Sequence, residues 1–377
     1  MASPKQSRHP LISYQPIRLI YHLVKLATTL PKVPFWLIRA LIPALRQHPN
    51  WTFKQSLTSS LARTLIGLNS ATAITETLSL APKKQGDRWV SIKPFEDDLY
   101  VGPLLSDLVR PGEAGGTWYP GVPAAPSSLR KVAMHIHGGA FVQYDGRDET
   151  TGYMCNRLLT AGGFEAVFAP QYRLAGHGGK DPFPAALQDV LTCYLYLVRT
   201  LGVPAGSVTV GGDSAGGNLA AALLRYLERF GDELGIPRPG RAVLVSPWVQ
   251  PSEAFAADYA RTPEFATDFL PANFLRWGAE TYGLQSDRYE DCREYIDSLG
   301  RPFRTSVPIF VTIGSVEILC PQGAKWVDEM RSVEGNRLEV DFQEGAPHDV
   351  LFVGDKMGWD ESVVGVMKKI GEFVDEQ

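Results

Sequence analysis

An α/β fold built on a mostly parallel sheet, with helices on both faces, is what this sequence predicts. Three observations carry the prediction. From about residue 130 onward, β-branched and apolar runs alternate with stretches of helical spacing. At the centre, Val208-Thr209-Val210 stops at Gly211-Gly212, passes through Asp213-Ser214 and enters an Ala/Leu-rich run, which reads as strand, sharp turn and helix. Finally, 377 residues with 44% hydrophobic and 21% charged side chains supply enough apolar material to cover such a sheet.

Taken in order, the chain opens with a segment of distinct charge. Up to Thr75 it carries nine Lys/Arg and no acid, whereas the remainder holds 28 basic and 41 acidic residues. Residues 1–75 therefore form a separate basic unit. They read as three amphipathic helices. Leu19, Ile20, Leu23, Val24 and Leu30 share one face of the first, and Phe35 to Leu45 supplies the second. Thr52 and Gln55 form a capping-box pattern that opens the third, with Leu57, Leu61, Leu65 and Leu68 in register. No run is long and charge-free enough to span a bilayer. Two readings of the segment stand side by side, a helical cap over a site and a peripheral membrane contact; an organelle transit peptide is a third.

Residues 76–377 form the main domain. Short edge strands are expected near Arg88–Ile92 and Gly116–Tyr119, then strands at Lys131–Ile136 and Glu165–Pro170 with a helix at Thr151–Thr160 between them. A helix at Ala185–Thr200 precedes the central strand. Further strands are expected at Ala242–Ser246, Pro308–Ile313 and Leu338–Phe342, and a last helix at Glu361–Val374. Residues 251–300 break the alternation and read as an insertion over the sheet's C-terminal edge. Four scattered cysteines without CxxC spacing read as thiols in a reducing compartment, hence an intracellular chain, cytoplasmic or resting on a membrane. The net charge of −4 gives no reason to expect nucleic acid.

The chemistry concentrates at Gly212-Asp213-Ser214-Ala215-Gly216. Glycines at both flanks allow backbones to approach closely, and the turn lifts the Ser214 hydroxyl clear of the sheet. A serine needs a base. Of seven histidines, His348 lies in a loop after the last expected strand, where a rigid sheet would hold it. Glu317 follows the strand ending at Gly314 and suits the acid that orients such a base; Asp349, adjoining His348, is the poorer choice. Backbone N–H groups of Gly138 and Gly139, with that of Ala215, suit an oxyanion. His135 and His137 lack a third partner at a metal-site spacing, and neither a Walker loop nor GxGxxG occurs, so neither metal nor cofactor is expected.

Five motifs then make a resemblance specific. His137-Gly138-Gly139, Tyr172-Arg173-Leu174-Ala175, Pro182 to Val190, Gly212 to Leu219 and Ser246-Pro247-Trp248 occur in order, and together resemble the hormone-sensitive-lipase branch of the α/β-hydrolases. That branch includes arylacetamide deacetylases and steryl acetyl hydrolases. The resemblance implies an α/β-hydrolase fold with a cap from the N-terminal helices, Ser214 as nucleophile, His348 as base and Glu317 as acid. It further implies Gly138, Gly139 and Ala215 as oxyanion donors. Three departures stand out: Glu replaces the usual Asp, Ala140 replaces a third glycine, and Gly176 to Lys180 lengthens a loop. The activity implied is hydrolysis of esters of hydrophobic alcohols or short acyl groups on a lipophilic small molecule. The alternative is a non-hydrolytic rearrangement or condensation on the same fold.

Overall fold

The structure is a computed structural model that describes residues 8–252 and 259–376. Eight strands form one sheet: β1 (Trp89–Ile92), β2 (Ala114–Tyr119), β3 (Val132–Ile136), β4 (Ala166–Gln171), β5 (Val208–Asp213), β6 (Arg241–Val245), β7 (Ile309–Gly314) and β8 (Leu338–Gln343). Their spatial order is β1-β2-β4-β3-β5-β6-β7-β8. β2 runs antiparallel to β1 and β4, and every other pair is parallel. Every residue of β3, β4, β5 and β7 is buried, because helices cover both faces. That is why these strands read as unbroken apolar runs rather than alternating ones.

Chain direction reverses beside β3. The chain leaves β3 for β4 on one side, then crosses back to β5 on the other and continues outward to β8. A crevice opens at such a switch point, outside the carboxyl ends of the strands. β3 delivers His137-Gly138-Gly139 to that crevice and β5 delivers Ser214, with Ile136 paired to Gly212. The site's location thus follows from strand order.

The helices agree with the sequence in most places. α4 is Asp148–Thr160, α5 is Ala185–Leu195 and α6 is Ala215–Leu234, which ends where Gly235 takes φ 61°. The expected helix to Thr200 continues from α5 as a π-helical turn over Tyr196–Thr200. Helices at Cys320–Arg331 and Val350–Met357 were not anticipated. The first carries Pro321 and Gly323 near its start, and the second opens with an apolar run (Val350 to Val353) too short to show a period. Of the expected insertion, residues 253–258 lie outside the described residues; beyond them come short helical turns and a helix at Ala272–Tyr282.

α1 (Ile17–Thr29), α2 (Val33–Leu41) and α3 (Phe53–Thr72) form the N-terminal layer. Thr52 and Gln55 make both bonds of the capping box, Thr52 N–H to Gln55 Oε1 at 2.7 Å and Gln55 N–H to Thr52 Oγ1 at 3.3 Å. The start of α3 is fastened to the C-terminal part of the chain. Trp51 Nε1 donates to Gly345 O at 2.7 Å, Lys54 Nζ to Asp355 O at 2.9 Å and Gln55 Nε2 to Gly358 O at 3.0 Å. Further along, Arg63 donates to Phe265 O and lies 4.0 Å over the Phe265 ring.

The leucine spacing does not mark the buried side of these helices: α3 buries Gln55, Ser56, Ser59 and Ser60, while Leu61 and Leu65 are exposed. α1 buries no residue fully, and Leu19, Ile20, Leu23, Val24 and Leu26 are all exposed. Small hydroxyl side chains let α3 lie close against its neighbours, bonding through side chains such as Gln47 Nε2 to Ser56 O at 2.9 Å. Periodicity marks an apolar face without saying which way it turns.

The cap bond at Thr52 contributes about 1 kcal/mol. Thr52→Ala is expected to lower the unfolding free energy by that amount, read as a lower urea midpoint with an unchanged slope, whereas Thr52→Ser should leave the midpoint close to its starting value.

Candidate active site

Ser214 sits between β5 and α6 at φ 51°, ψ −114°, a conformation that L residues adopt only under constraint. The constraint is a set of backbone bonds. Ser214 N–H donates to Val245 O at 2.8 Å, and Ser214 O accepts from Trp248 N–H at 2.9 Å and Asn218 N–H at 3.2 Å. A Cβ on Gly212 would come within 2.7 Å of Ile136 O, and one on Gly216 within 2.6 Å of His137 O. Glycine at both positions is what lets β3, β5 and α6 converge here.

His348 follows β8 and leads into the helix Val350–Met357. Its Nδ1 lies 3.6 Å from Glu317 Oε2, and both side chains are buried. The Glu317 carboxylate accepts the Ser246 hydroxyl at 2.6 Å and the Gly314 N–H at 3.3 Å through that same oxygen. Burial alone would lower the pKa of His348. The carboxylates of Glu317, Asp268 and Asp213 outweigh it and raise the imidazole above its ordinary value. The imidazole edge approaches Phe269, with ring centroids 6.3 Å apart.

Ser214, His348 and Gly139 line one cavity of about 60 Å³, walled by Ala62 and Ile66 of α3 together with Phe269, Leu270, Phe274 and Phe352. The structure therefore brings Ser214 and His348 to one space, with Glu317 behind the imidazole. The oxyanion candidates divide. Gly138 N–H is already committed to Asp213 Oδ2 at 2.8 Å, which takes it out of the expected trio. The N–H groups of Gly139, Ala140 and Ala215 have no hydrogen-bond partner among the described residues. Gly139 takes φ 101° and Ala140 φ 53°, so the loop turns tightly past the end of β3.

His135 and His137 each have structural partners. His135 Nε2 lies 2.9 Å from Asp213 Oδ1, and His137 stacks on Tyr172 at 4.2 Å with its Nδ1 2.8 Å from Gly138 O. Asp213 thereby fixes two strand ends at once. Burial and the neighbouring Asp213 carboxylate push Asp349 well above the usual carboxylate range, while hydrogen bonding to His135 holds Asp213 below it.

Two functional neighbours were missed from sequence. Ser246 takes φ 44° at the end of β6; besides its bond to Glu317, its Oγ accepts Asp349 N–H at 3.1 Å, so one hydroxyl joins the acid to the residue after His348. Asp268 accepts Ile318 N–H at 2.6 Å and Leu270 N–H at 3.1 Å, and burial raises its pKa to about 6. Ser246 had been visible only as the first residue of Ser246-Pro247-Trp248. Nothing around Asp268 marked it, since Ile318, the partner that ties it to the site, lies 50 residues away.

Comparison with known proteins agrees with this architecture. A family model described as alpha/beta hydrolase fold matches residues 133–352. An acetyl-hydrolase of Streptomyces hygroscopicus is 30% identical over 229 residues, 60% of this chain and 66% of that protein. Esterase LipU of Mycobacterium tuberculosis is 33% identical over 255 residues, 66% of this chain and 78% of its own. Human hormone-sensitive lipase is 27% identical over 194 residues, 49% of this chain and 17% of its own. Among solved structures, a hyperthermophilic esterase from Pyrobaculum calidifontis superposes with a TM-score of 0.59 at 20% identity, over 85% of this chain and 93% of that one. An esterase of the bacterial hormone-sensitive lipase family gives 0.57 at 21% identity, over 91% and 97%. At such identities the superpositions speak for the fold.

A hydrogen bond to a buried carboxylate is worth about 1.5–3 kcal/mol. Ser246→Ala is expected to lose that much stability in urea denaturation, because the buried Glu317 carboxyl group loses a donor and the Asp349 N–H loses its acceptor.

Proposed function

Since the chain belongs to the α/β-hydrolase family, in its hormone-sensitive-lipase branch, we propose that it is a serine carboxylic ester hydrolase acting through Ser214, His348 and Glu317. The observation that carries the reading is the shared cavity: Ser214 and His348 face one apolar space, with a buried carboxylate behind the imidazole.

The steps follow from the groups present. Ser214 Oγ attacks the ester carbonyl carbon while His348 Nε2 takes the hydroxyl proton. Negative charge that develops on the carbonyl oxygen meets the unpartnered N–H groups of Gly139, Ala140 and Ala215. Collapse of the tetrahedral intermediate breaks the bond to the alcohol oxygen, which leaves with the proton from His348. Water then attacks the acyl-serine, gives its proton to His348, and releases the acid and a free Ser214. Throughout, Glu317 holds Nδ1 protonated and stabilises the imidazolium. The longer arm of Glu is accommodated because Ser246 and Gly314 grip its oxygen from the strand ends.

The cavity supports a short acyl group. About 60 Å³ with phenylalanine and leucine walls accommodates only a few water-sized units. The substrate read here is an ester with a short acyl group such as acetyl, its alcohol part lying outside this cavity. α3 sets the limit on chain length, because Ala62 and Ile66 form one wall.

Three outcomes test this. Ser214→Ala should lose hydrolysis of p-nitrophenyl butyrate by at least about 10⁴-fold and lose labelling by a fluorophosphonate probe. Full turnover by that variant would overturn the reading and leave the non-hydrolytic alternative. The pH profile supplies a second check. His348 must be neutral to accept the proton, and its pKa lies above the ordinary 6.5, so kcat/KM should fall with acid through a midpoint above that value. Glu317→Gln removes the largest favourable partner, so the midpoint should move to lower pH and the plateau drop by about 10⁴-fold. Third, Ile66→Ala lengthens the cavity and should raise kcat/KM for p-nitrophenyl hexanoate relative to acetate by about tenfold.

A further inference from the structure

α1 is built inside out, and α2 leaves a large apolar stripe on its outer side. In α1 the half-buried positions are Arg18, Tyr21, His22 and Thr29, while Leu19, Leu23, Leu26 and Leu30 are each more than half exposed. In α2 the side toward the body is mixed, with Val33, Trp36 and Arg39 half-buried and Ala40 buried; Arg39 donates to the Ser60 hydroxyl at 2.6 Å, whereas Phe35, Ile38 and Leu41 face outward. A segment that covered a site only to exclude water would turn its largest apolar side chains inward, because burying them is what stabilises a packed helix. Here α1 meets the body through Arg18, Tyr21, His22 and Thr29, α2 through Val33, Trp36, Arg39 and Ala40, and the leucine and phenylalanine stripes of both are left to the outside. Exposed apolar surface on this scale marks a binding face.

Charge identifies what it binds. Residues up to Thr75 carry nine bases and no acid, and the remainder of the chain is net −13. A groove between α1 and α3 is lined by Lys25, Lys32 and Arg63 beside Leu26, Leu65 and Leu68, which sets cations next to leucines. On its other side α3 supplies Ala62 and Ile66 to the cavity of Ser214. Among the described residues no helix is long and apolar enough to cross a membrane, so this face rests on its partner instead of passing through it. A second copy of the chain fits poorly, because an isologous contact would oppose two basic faces.

We propose that α1 and α2 dock this chain onto the surface of an anionic phospholipid bilayer. Their leucine and phenylalanine stripes enter the boundary between headgroups and acyl chains, and the bases meet the lipid phosphates and carboxylates. The acidic body is repelled by the same surface, which fixes the orientation and sets α3 between the lipid and the cavity. The proposal does not depend on the hydrolase reading, since it concerns adsorption and not turnover.

The test is co-sedimentation of the full chain with vesicles of phosphatidylcholine, with and without phosphatidylserine. Binding should be at least about tenfold stronger with phosphatidylserine at low salt and should weaken as salt rises, by about fivefold for each base removed. Lys25→Gln with Lys32→Gln should reduce binding accordingly, and Leu19→Asn with Leu23→Asn should abolish it. Both pairs should leave the thermal melt and p-nitrophenyl butyrate turnover unchanged, because these side chains touch neither the core nor the cavity. Equal sedimentation with and without phosphatidylserine would overturn the proposal, as would binding indifferent to both variant pairs. Self-association that Leu19→Asn with Leu23→Asn dissolves, in a chain that ignores vesicles, would assign the face to a second copy instead.

Discussion

The constraint on which the rest depends is the close approach of three backbones at Ser214. β3, β5 and the first turn of α6 meet where Gly212 and Gly216 face the carbonyls of Ile136 and His137, and a methyl group at either position would separate them. The backbone of Ser214 is forced to a positive φ and held there by its N–H donating to Val245 O and its carbonyl accepting from Trp248 N–H. Local strain of this kind persists only when surrounding structure over-determines it. Asp213 adds to that determination by joining Gly138 N–H to His135, which ties the loop after β3 to the strand that carries the serine.

Around this point the other groups are placed by shared partners, not by separate supports. The Ser246 hydroxyl touches Glu317 and the backbone of Asp349, so the loops that carry Glu317 and His348 are set by one side chain at the end of β6. Asn218 Nδ2 reaches Trp248 O at 2.9 Å and Ile296 O at 2.8 Å, which ties α6 to that strand end and to the segment before β7. Asp268 binds the turn that carries Glu317. Buried polar networks of this type are costly if any member is left without partners, and here they replace flexible loops with fixed ones.

The N-terminal layer belongs to that network. The first turn of α3 is bonded to the loop before His348 and to the helix after it, while Arg63 is bonded to the segment that contains Asp268. Helix α3 thus touches the segments that carry both His348 and Glu317 and forms a wall of the cavity. Leu61 and Leu65 on its other side are exposed, as are the outward leucines of α1. A single helix therefore closes the chemical space on one side and presents the amphipathic surface on the other.

Much of the catalytic domain was legible because its signals are local. Unbroken apolar runs, glycine pairs around Ser214 and the capping box at Thr52 depend on residues a few positions apart, and sterics or a nearby hydrogen bond decide them whatever the rest of the chain does. The expected strands and the position of Ser214 at a strand–helix turn follow from such signals. Tertiary packing alone decided what depends on distant partners. That Gly138 gives its N–H to Asp213, that Ser246 bridges Glu317 and Asp349, and that Asp268 lies under the acid turn all arise from strands brought side by side. The orientation of the N-terminal helices falls in the same class. The spacing of their leucines defines a stripe, but only the balance between apolar burial and the hydrogen bonds available to the opposite face determines which side meets the protein.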